Sequence, residues 1–365
     1  MNHNFLYCQN IFLYSLYFVL NISGFSLSAL SQSATEKKLF ESDEVLEITL
    51  NGNFRDALND RTGKPQKHAV FLSCNIEGKS EKPIPVEIQA RGNFRRKKEN
   101  CTYPPLWIHF PKDGSQQSTV FSEQIKTKLV MPCMNDEYVI REWLVYKIYN
   151  LISPLSFRAR LIKLKPEDSK TKKQIQPFFA MMLEEEKQMA DRNNMFAIEQ
   201  ILRPEQTQTE SYLVMAVFEY LIGNTDWSVQ YLHNIKLLAP EANAVPPLTV
   251  PYDFDLAGIV DAPYAHPAEE LQMSSVRERR YRGYCVPEPK LFESVIARFN
   301  SLKNDIYSIY NNCKLLDAKY IKATIQYLDE FYITINNPKA WQKDFSYPCD
   351  KKGTGNIVIK GLKEN

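Results

Sequence analysis

Four side chains with oxygen donors, Asp226, Asn234, Asp253 and Asp255, fall in one short stretch of the chain. It reads Gly223-Asn224-Thr225-Asp226-Trp227-Ser228, then His233-Asn234, then Pro251-Tyr252-Asp253-Phe254-Asp255-Leu256-Ala257-Gly258. Carboxylate and amide oxygens are hard ligands of the kind Mg²⁺ accepts while it bridges substrate phosphates. Phosphoryl transfer needs a carboxylate to orient the attacking hydroxyl, and an Asn and an Asp to hold the metal. The order Asp, Asn, short strand, Asp supplies each of these. On residue types alone, Asp-Phe-Asp can also end a strand and cap a turn, with Asn234 a turn residue. Two of the same Asp residues could also act as the acid and base of glycoside hydrolysis, but nothing in the chain selects a sugar substrate, and this reading ranks last.

Cations occur at a distance in sequence. In Arg91-Gly92-Asn93 the glycine lets backbone approach a ligand and the arginine can meet phosphate. The run Arg95 to Lys98 reads as a solvated basic turn. Lys128 and Lys163 alternate with apolar residues on strands and either point into a cleft or edge a sheet, and Glu142 could steady such a lysine. His68, His109, His233 and His266 share no metal-ligand spacing and read as surface or core residues. The serine-hydrolase elbow, the Walker A loop and the Rossmann glycine pattern are absent.

The elements that must position these residues follow from periodicity. Residues 44–110 alternate apolar and polar, as in Val86-Glu87-Ile88-Gln89-Ala90 and Leu106-Trp107-Ile108-His109-Phe110, which predicts strands of an antiparallel sheet. Met134-Asn135-Asp136 can cap a helix with Ile140, Trp143, Leu144, Ile148 and Leu151 on one face. Strands return at 157–164 and 178–183, with a polar surface hairpin over 166–176 between them. Leu213, Val214, Val217, Phe218 and Leu221 form a helical stripe stopped by Gly223-Asn224. Two short strands, 235–238 and 248–252, form a hairpin, and three helices follow Pro287. The segment Tyr281 to Cys285 lies about one loop beyond the acidic residues and can fold over them.

The chain has 365 residues, 44% of them hydrophobic, enough for one large core or two lobes sharing a cleft. Lys and Arg number 45 against 43 Asp and Glu, a net charge of +2 that disfavours a nucleic-acid partner. No Asp, Glu, Lys or Arg precedes Glu36, and 11–30 is largely apolar, so residues 1–33 read as a signal peptide, with an uncleaved N-terminal anchor as the minority reading because the first residues lack Lys or Arg. Its removal takes Cys8 away and leaves Cys74, Cys101, Cys133, Cys285, Cys313 and Cys349, room for up to three disulfides in an oxidising compartment. The expected location is exported, whether periplasmic, cell-surface or secreted, with no stable membrane span after cleavage.

Several short segments, in order, resemble the spore-coat-protein-H (CotH) type of atypical secreted kinase. They are Arg91-Gly92-Asn93, the 126–133 strand followed by Arg141-Glu142-Trp143-Leu144-Val145-Tyr146, Ser156 to Leu161, Phe178 to Glu185, Leu221 to Asp226 with Asn234, and Pro251 to Gly258. The resemblance implies an α+β, two-lobed, protein-kinase-like fold. A strand-rich N-terminal lobe with one inserted helix would occupy 34–185, and a mostly helical C-terminal lobe carrying the acidic site would occupy 186–365. It also implies ATP and Mg²⁺ or Mn²⁺ as cofactors, and a secreted or surface protein as substrate. Asp226 would be the catalytic carboxylate and Asn234 and Asp253 the metal ligands, supported by Asp255. Arg91, Asn93, Lys128 and Glu142 would form the nucleotide side, and Glu184 and Glu185 would lie on the adenine side or serve the structure. The family order further places Cys101 beside Cys133 as a disulfide. The alternative reading is a catalytically inactive binding or surface-assembly protein.

Overall fold

Buried and exposed residues alternate along Leu46–Gly52 (β1), so Leu46, Ile48 and Leu50 share one face. A short helix, Phe54–Asn59 (α1), follows at once and buries Phe54, Ala57 and Leu58. The same two-residue period continues through His68–Ile76 (β2) and, after the two-residue Lys79–Ser80 (β3), through Ile84–Ala90 (β4). Next come Leu106–His109 (β5), Lys126–Val130 (β6), the helix Glu137–Ile152 (α2), Ala159–Asp168 (β7) and Phe178–Leu183 (β8). The second half holds Glu186–Arg192 (α3), Phe196–Ile198 (β9), Thr209–Ile222 (α4), Ile235–Ala239 (β10) and Leu248–Pro251 (β11). It ends in Lys290–Ser301 (α5), Lys303–Asn311 (α6), Ala318–Ile335 (α7) and Pro338–Phe345 (α8). This computed structural model describes residues 38–76, 79–171, 175–241 and 246–357. The expected signal peptide lies outside the described residues.

Seven strands close on themselves in the order β1-β7-β8-β6-β5-β4-β2, with β2 returning to β1. The β1–β7 pair is parallel, from Leu46 opposite Ile162 to Gly52 opposite Asp168, and the other neighbours in the ring are antiparallel. The expected two-lobed, kinase-like fold with an open N-terminal antiparallel sheet is therefore corrected: the described residues form a closed, mixed seven-stranded barrel, a small sheet and eight α-helices. Alternation along β1 reports that one face is buried; it carries no information on how many neighbours the strand acquires, and a parallel partner more than a hundred residues away leaves no local trace. The barrel interior is solid. Ile48, Leu72, Ile88, Ile108, Leu129, Ile162 and Met182 fill it, with Phe54 and Phe121 in the same cluster.

A second apolar cluster joins the outside of the barrel to the helices. Val130, Met181 and Leu183 belong to it with Val145 and Ile148 of α2, and with Val217 and Phe218 of α4. The α4 helix is buried along nearly its whole length and ends at Gly223, whose φ of 68° is left-handed. A Cβ there would lie 2.1 Å from the Tyr327 hydroxyl, so glycine serves both the turn and the packing. The three-stranded sheet β11-β10-β9 extends the expected hairpin by one strand.

Other local expectations change in detail. Helix α1 occupies part of a stretch read as strands, and α8 adds a fourth helix to the three expected near the C-terminus. On α2, Leu151 is exposed while Arg141 and Glu142 are buried, because the helix is packed on several sides. Asn135 rather than Asp136 caps it, accepting from Glu137 N at 3.2 Å; the Asp136 carboxylate accepts instead from Phe179 N at 2.7 Å. Cys101–Cys133 forms as the resemblance implied, and a second disulfide joins Cys285 to Cys349, leaving Cys74 and Cys313 as thiols. Two disulfides are compatible with export. Among the described residues no helix is long and apolar enough to cross a membrane.

Candidate functional site

On the outer face of the barrel, directly opposed residues stand in rows. Gln89, Trp107, Lys128 and Leu183 make one row, and Glu87, His109 and Lys126 make the next. Lys128 is 6% exposed, and its Nζ pairs with Asp253 Oδ2 at 3.1 Å. Asp253 sits just past β11 with a φ of 66°. Its backbone N–H donates to the Tyr146 hydroxyl of α2 at 2.9 Å. Phe254 points into the core, 4.7 Å from Tyr146 and 5.4 Å from Phe218 between ring centres. The alternation of Asp253-Phe254-Asp255 thus sends two carboxylates to the polar side and anchors them with the ring between. Asp255 Oδ2 receives Arg95 at 3.3 Å and the Tyr264 hydroxyl at 3.3 Å, and Arg95 also donates to the Met131 carbonyl.

Electrostatics separates these carboxyl groups. Burial alone would raise Asp253, but Lys128, Arg95 and Arg91 outweigh it and hold the group down at about 2. Asp255 is pushed up to about 6 by burial, against the pull of Arg95 and with a push from Asp253. Glu142, 1% exposed, is pushed up to about 8 by burial and by the negative charges of Asp255 and Asp253. Its Oε1 has no hydrogen-bond partner among the described residues. Near neutral pH, three cations (Arg91, Arg95 and Lys128) therefore face two ionised carboxylates and one mostly protonated one. Arg91 lies 4.5 Å from the centre of the Trp107 ring and forms no carboxylate ion pair among the described residues; burial lowers its pKa. A cation left in that state suits an incoming anion.

The other half of the site comes from the loop between α4 and β10. Asp226 Oδ1 lies 3.0 Å from His233 Nε2, and the Asn234 amide donates to Asp226 Oδ2 at 3.0 Å and to the Asp226 carbonyl at 2.7 Å. A bridge between Ser228 and His233 closes the loop. Burial works against a charged His233 ring, but the hydrogen bond and charge of Asp226, with Asp253 in support, raise its pKa. Asn234 has a left-handed φ of 54°, and its carbonyl accepts from Tyr252 N at 3.0 Å, which sets it beside Asp253 across the hairpin.

The residues present fit a divalent cation held partly by its substrate. Asn234 spends its amide nitrogen on Asp226 and Lys128 takes Asp253 Oδ2, so among the described residues the Asn234 side-chain oxygen and Asp253 Oδ1 are left for a cation. Two protein oxygens are what Mg²⁺ commonly takes, phosphates and water completing the shell. Among the described residues no three His, Cys, Asp or Glu side chains gather into a self-sufficient metal cage.

Of the residues singled out from sequence, Arg91, Lys128, Glu142, Asp226, Asn234, Asp253 and Asp255 gather at this junction. Asn93 stays exposed and makes no capping hydrogen bond. Lys163 stands elsewhere, over the Phe179 ring and 3.9 Å from Asp136. Lys128 pairs with Asp253, and Glu142 is within electrostatic range but not within ion-pair distance. Glu184 is locked to Arg192 at 2.9 Å, a structural role, while Glu185 caps α3 and lies 3.7 Å from Lys126. Sequence reasoning missed Arg95, Tyr146, Trp107 and His233. For His233 the signal was its place next to Asn234; for Arg95, read as solvated, it was the apolar Phe94 immediately before it. A separate open cleft of about 1580 Å³ runs past Phe71, His109 and Lys126, but Lys67 and Lys126 on it are already paired with Glu87 and Glu185. Compared with protein-family models and with curated protein sequences, the chain matches none.

Proposed function

We propose that this site binds ATP with Mg²⁺ or Mn²⁺ and transfers phosphate to a hydroxyl group on a secreted or surface protein. The observation that carries the reading is the juxtaposition of two free hard oxygens, on Asn234 and Asp253, with two cations, Lys128 and Arg91, beside a carboxylate already oriented at Asp226. Bound Mg²⁺–ATP supplies the transferable phosphoryl group and neutralises its charge. The protein's own part is positional. Lys128 and Arg91 hold anionic oxygens, Asn234 and Asp253 hold the cation, and Asp226, fixed by His233 and Asn234, orients the acceptor hydroxyl. The order of short segments that resembles the CotH type is in keeping with the same chemistry, and function follows from the site and not from the fold.

A second reading, an inactive binding or surface-assembly protein, draws on the Lys128–Asp253 contact, which neutralises both groups within the chain. Thermal unfolding of the oxidised protein with and without millimolar ATP and Mg²⁺ or Mn²⁺ decides between them. Ligand at about 100 times its Kd stabilises the native state by about 2.7 kcal/mol. The transferase reading expects that metal-dependent rise, its loss in Asp253→Ala, and ADP release cut by about a thousandfold in the variant. No rise with either metal sinks it and leaves the binding-protein reading.

A further inference from the structure

A second polar cluster lies behind Asp226, on the segment Tyr281-Arg282-Gly283-Tyr284. Arg282 donates from one terminal nitrogen to the Ile357 carbonyl at 2.8 Å. Its Nε is shut away from solvent and has no acceptor among the described residues, and no carboxylate comes within ion-pair distance of its guanidinium. Burial pushes this arginine down to about 10, with Asp226 only in longer electrostatic reach. Two hydroxyls nearby are in the same condition. Tyr212 is 0% exposed and Tyr281 1% exposed, and among the described residues neither O–H finds an acceptor, although the Tyr284 backbone N–H lies within reach of the Tyr212 oxygen. Arg282 lies within electrostatic reach of the neutral Tyr212 hydroxyl, and the Tyr281 hydroxyl is folded back over the next residue but one, 2.2 Å from where a Cβ of Gly283 would stand.

These groups are donors that lack an acceptor. A half-buried guanidinium whose Nε is shut away without an anion, and buried hydroxyls without acceptors, each carry a desolvation cost that native structures relieve by a bound ion or water. The frame around them is rigid. Cys285–Cys349 ties the segment to the C-terminal turn, Arg280 donates to the Tyr347 hydroxyl at 2.9 Å and to Thr354 Oγ1 at 3.2 Å, and Tyr284 packs on Tyr212 with ring centres 4.9 Å apart. Tyr212 also meets Trp227, the residue after Asp226, edge-on at 6.2 Å.

We propose that Arg282, with the Tyr212 and Tyr281 hydroxyls, forms a binding site for a compact oxyanion, the shared chemistry of phosphate and carboxylate groups, next to the Asp226 loop. This site is independent of the nucleotide reading; if that reading holds, the oxyanion site is placed to take an acidic group of the acceptor. The test is thermal unfolding of the full oxidised chain in inorganic phosphate, with potassium acetate and potassium chloride at equal ionic strength as parallel arms. Phosphate is expected to raise the midpoint saturably and chloride is not. Acetate matching phosphate identifies a carboxylate-type ligand, and acetate without effect identifies a phosphate-type one; both support the site. The phosphate effect should persist in Lys128→Met, which alters the proposed nucleotide site, and vanish in Arg282→Met. Tyr212→Phe, which removes only a hydroxyl, should weaken phosphate binding by about tenfold while the protein folds as before, and so serves if Arg282→Met does not fold. No saturable phosphate effect in the wild type, or one unchanged in Arg282→Met or Tyr212→Phe, overturns the proposal. ATP-dependent stabilisation would stand or fall separately, through Asp253→Ala.

Discussion

Asp226 and Asp253 both act on the charge of His233, yet the molecule holds them in place by different means. Asp226 is fixed by partners seven and eight positions along the chain, His233 and Asn234, inside one closed loop. Asp253 is fixed by Tyr146 and Lys128, 107 and 125 positions away, and those contacts exist only while the barrel, α2 and the β10–β11 hairpin are docked. The local half can keep its geometry through small disturbances of packing. The assembled half cannot, and its charge balance reports whether the two apolar cores are joined.

The largest expected effect falls on the assembled half alone. Phe254→Ala removes the ring that anchors both carboxylates and should destabilise the protein by about 4 kcal/mol in urea unfolding, while the His233 resonance in a proton NMR titration keeps its raised midpoint. If His233 shifts as far as it does in Asp226→Asn, the two halves are not separable. Next, Cys101→Ser with Cys133→Ser opens the tie beside the Met131 carbonyl that holds Arg95. The expected cost is about 3 kcal/mol, read as a lowered denaturation midpoint.

Glu142 gives a smaller, pH-dependent effect. Its folded pKa of about 8 lies above the free-chain value of 4.5, so the folded form keeps a proton that the unfolded chain releases between those values. Stability is therefore fully supported below pH 4.5, declines as pH rises toward 8, and is flat with respect to this group above it. Glu142→Gln cannot ionise, and at pH 9 it should be more stable than the wild type by about 2 kcal/mol, with the advantage fading toward pH 5. An equal difference at both pH values would mean that the carboxyl is ionised in the fold. The smallest effect belongs to the local half: Asn234→Ala should cost about 1 kcal/mol, and raise the Mn²⁺ concentration needed for any ATP-dependent stabilisation.

The same contrast explains what the sequence discloses. The helical stripe of α4, its glycine stop and the hairpin that follows are short-range patterns, and they place Asp226 beside Asn234 and bring Asp253 near them, though its final position depends on Tyr146 and Lys128. Lys128 was a residue with two equal readings because alternation on β6 says which face it occupies, not what covers that face. Arg95 looked like one of several solvated cations, yet its guanidinium side chain is only 10% exposed because Asp255 and Met131 receive it from elements far along the chain. Barrel closure was invisible for the same reason, and a sheet expected to be open acquired a parallel partner for its first strand.

That parallel seam also orders events in time. The partners of β1 on the seam, from Ile162 to Asp168, are synthesised more than a hundred residues after Leu46. Closing so long a loop costs chain entropy before any contact repays it, and such non-local pairing slows folding. Until β7 arrives, β1 offers a bare strand edge to any neighbour, the condition most exposed to mispairing. The step that seals the barrel is thus expected to set the pace of folding, and a chaperone that covers the β1 edge would act on that interval.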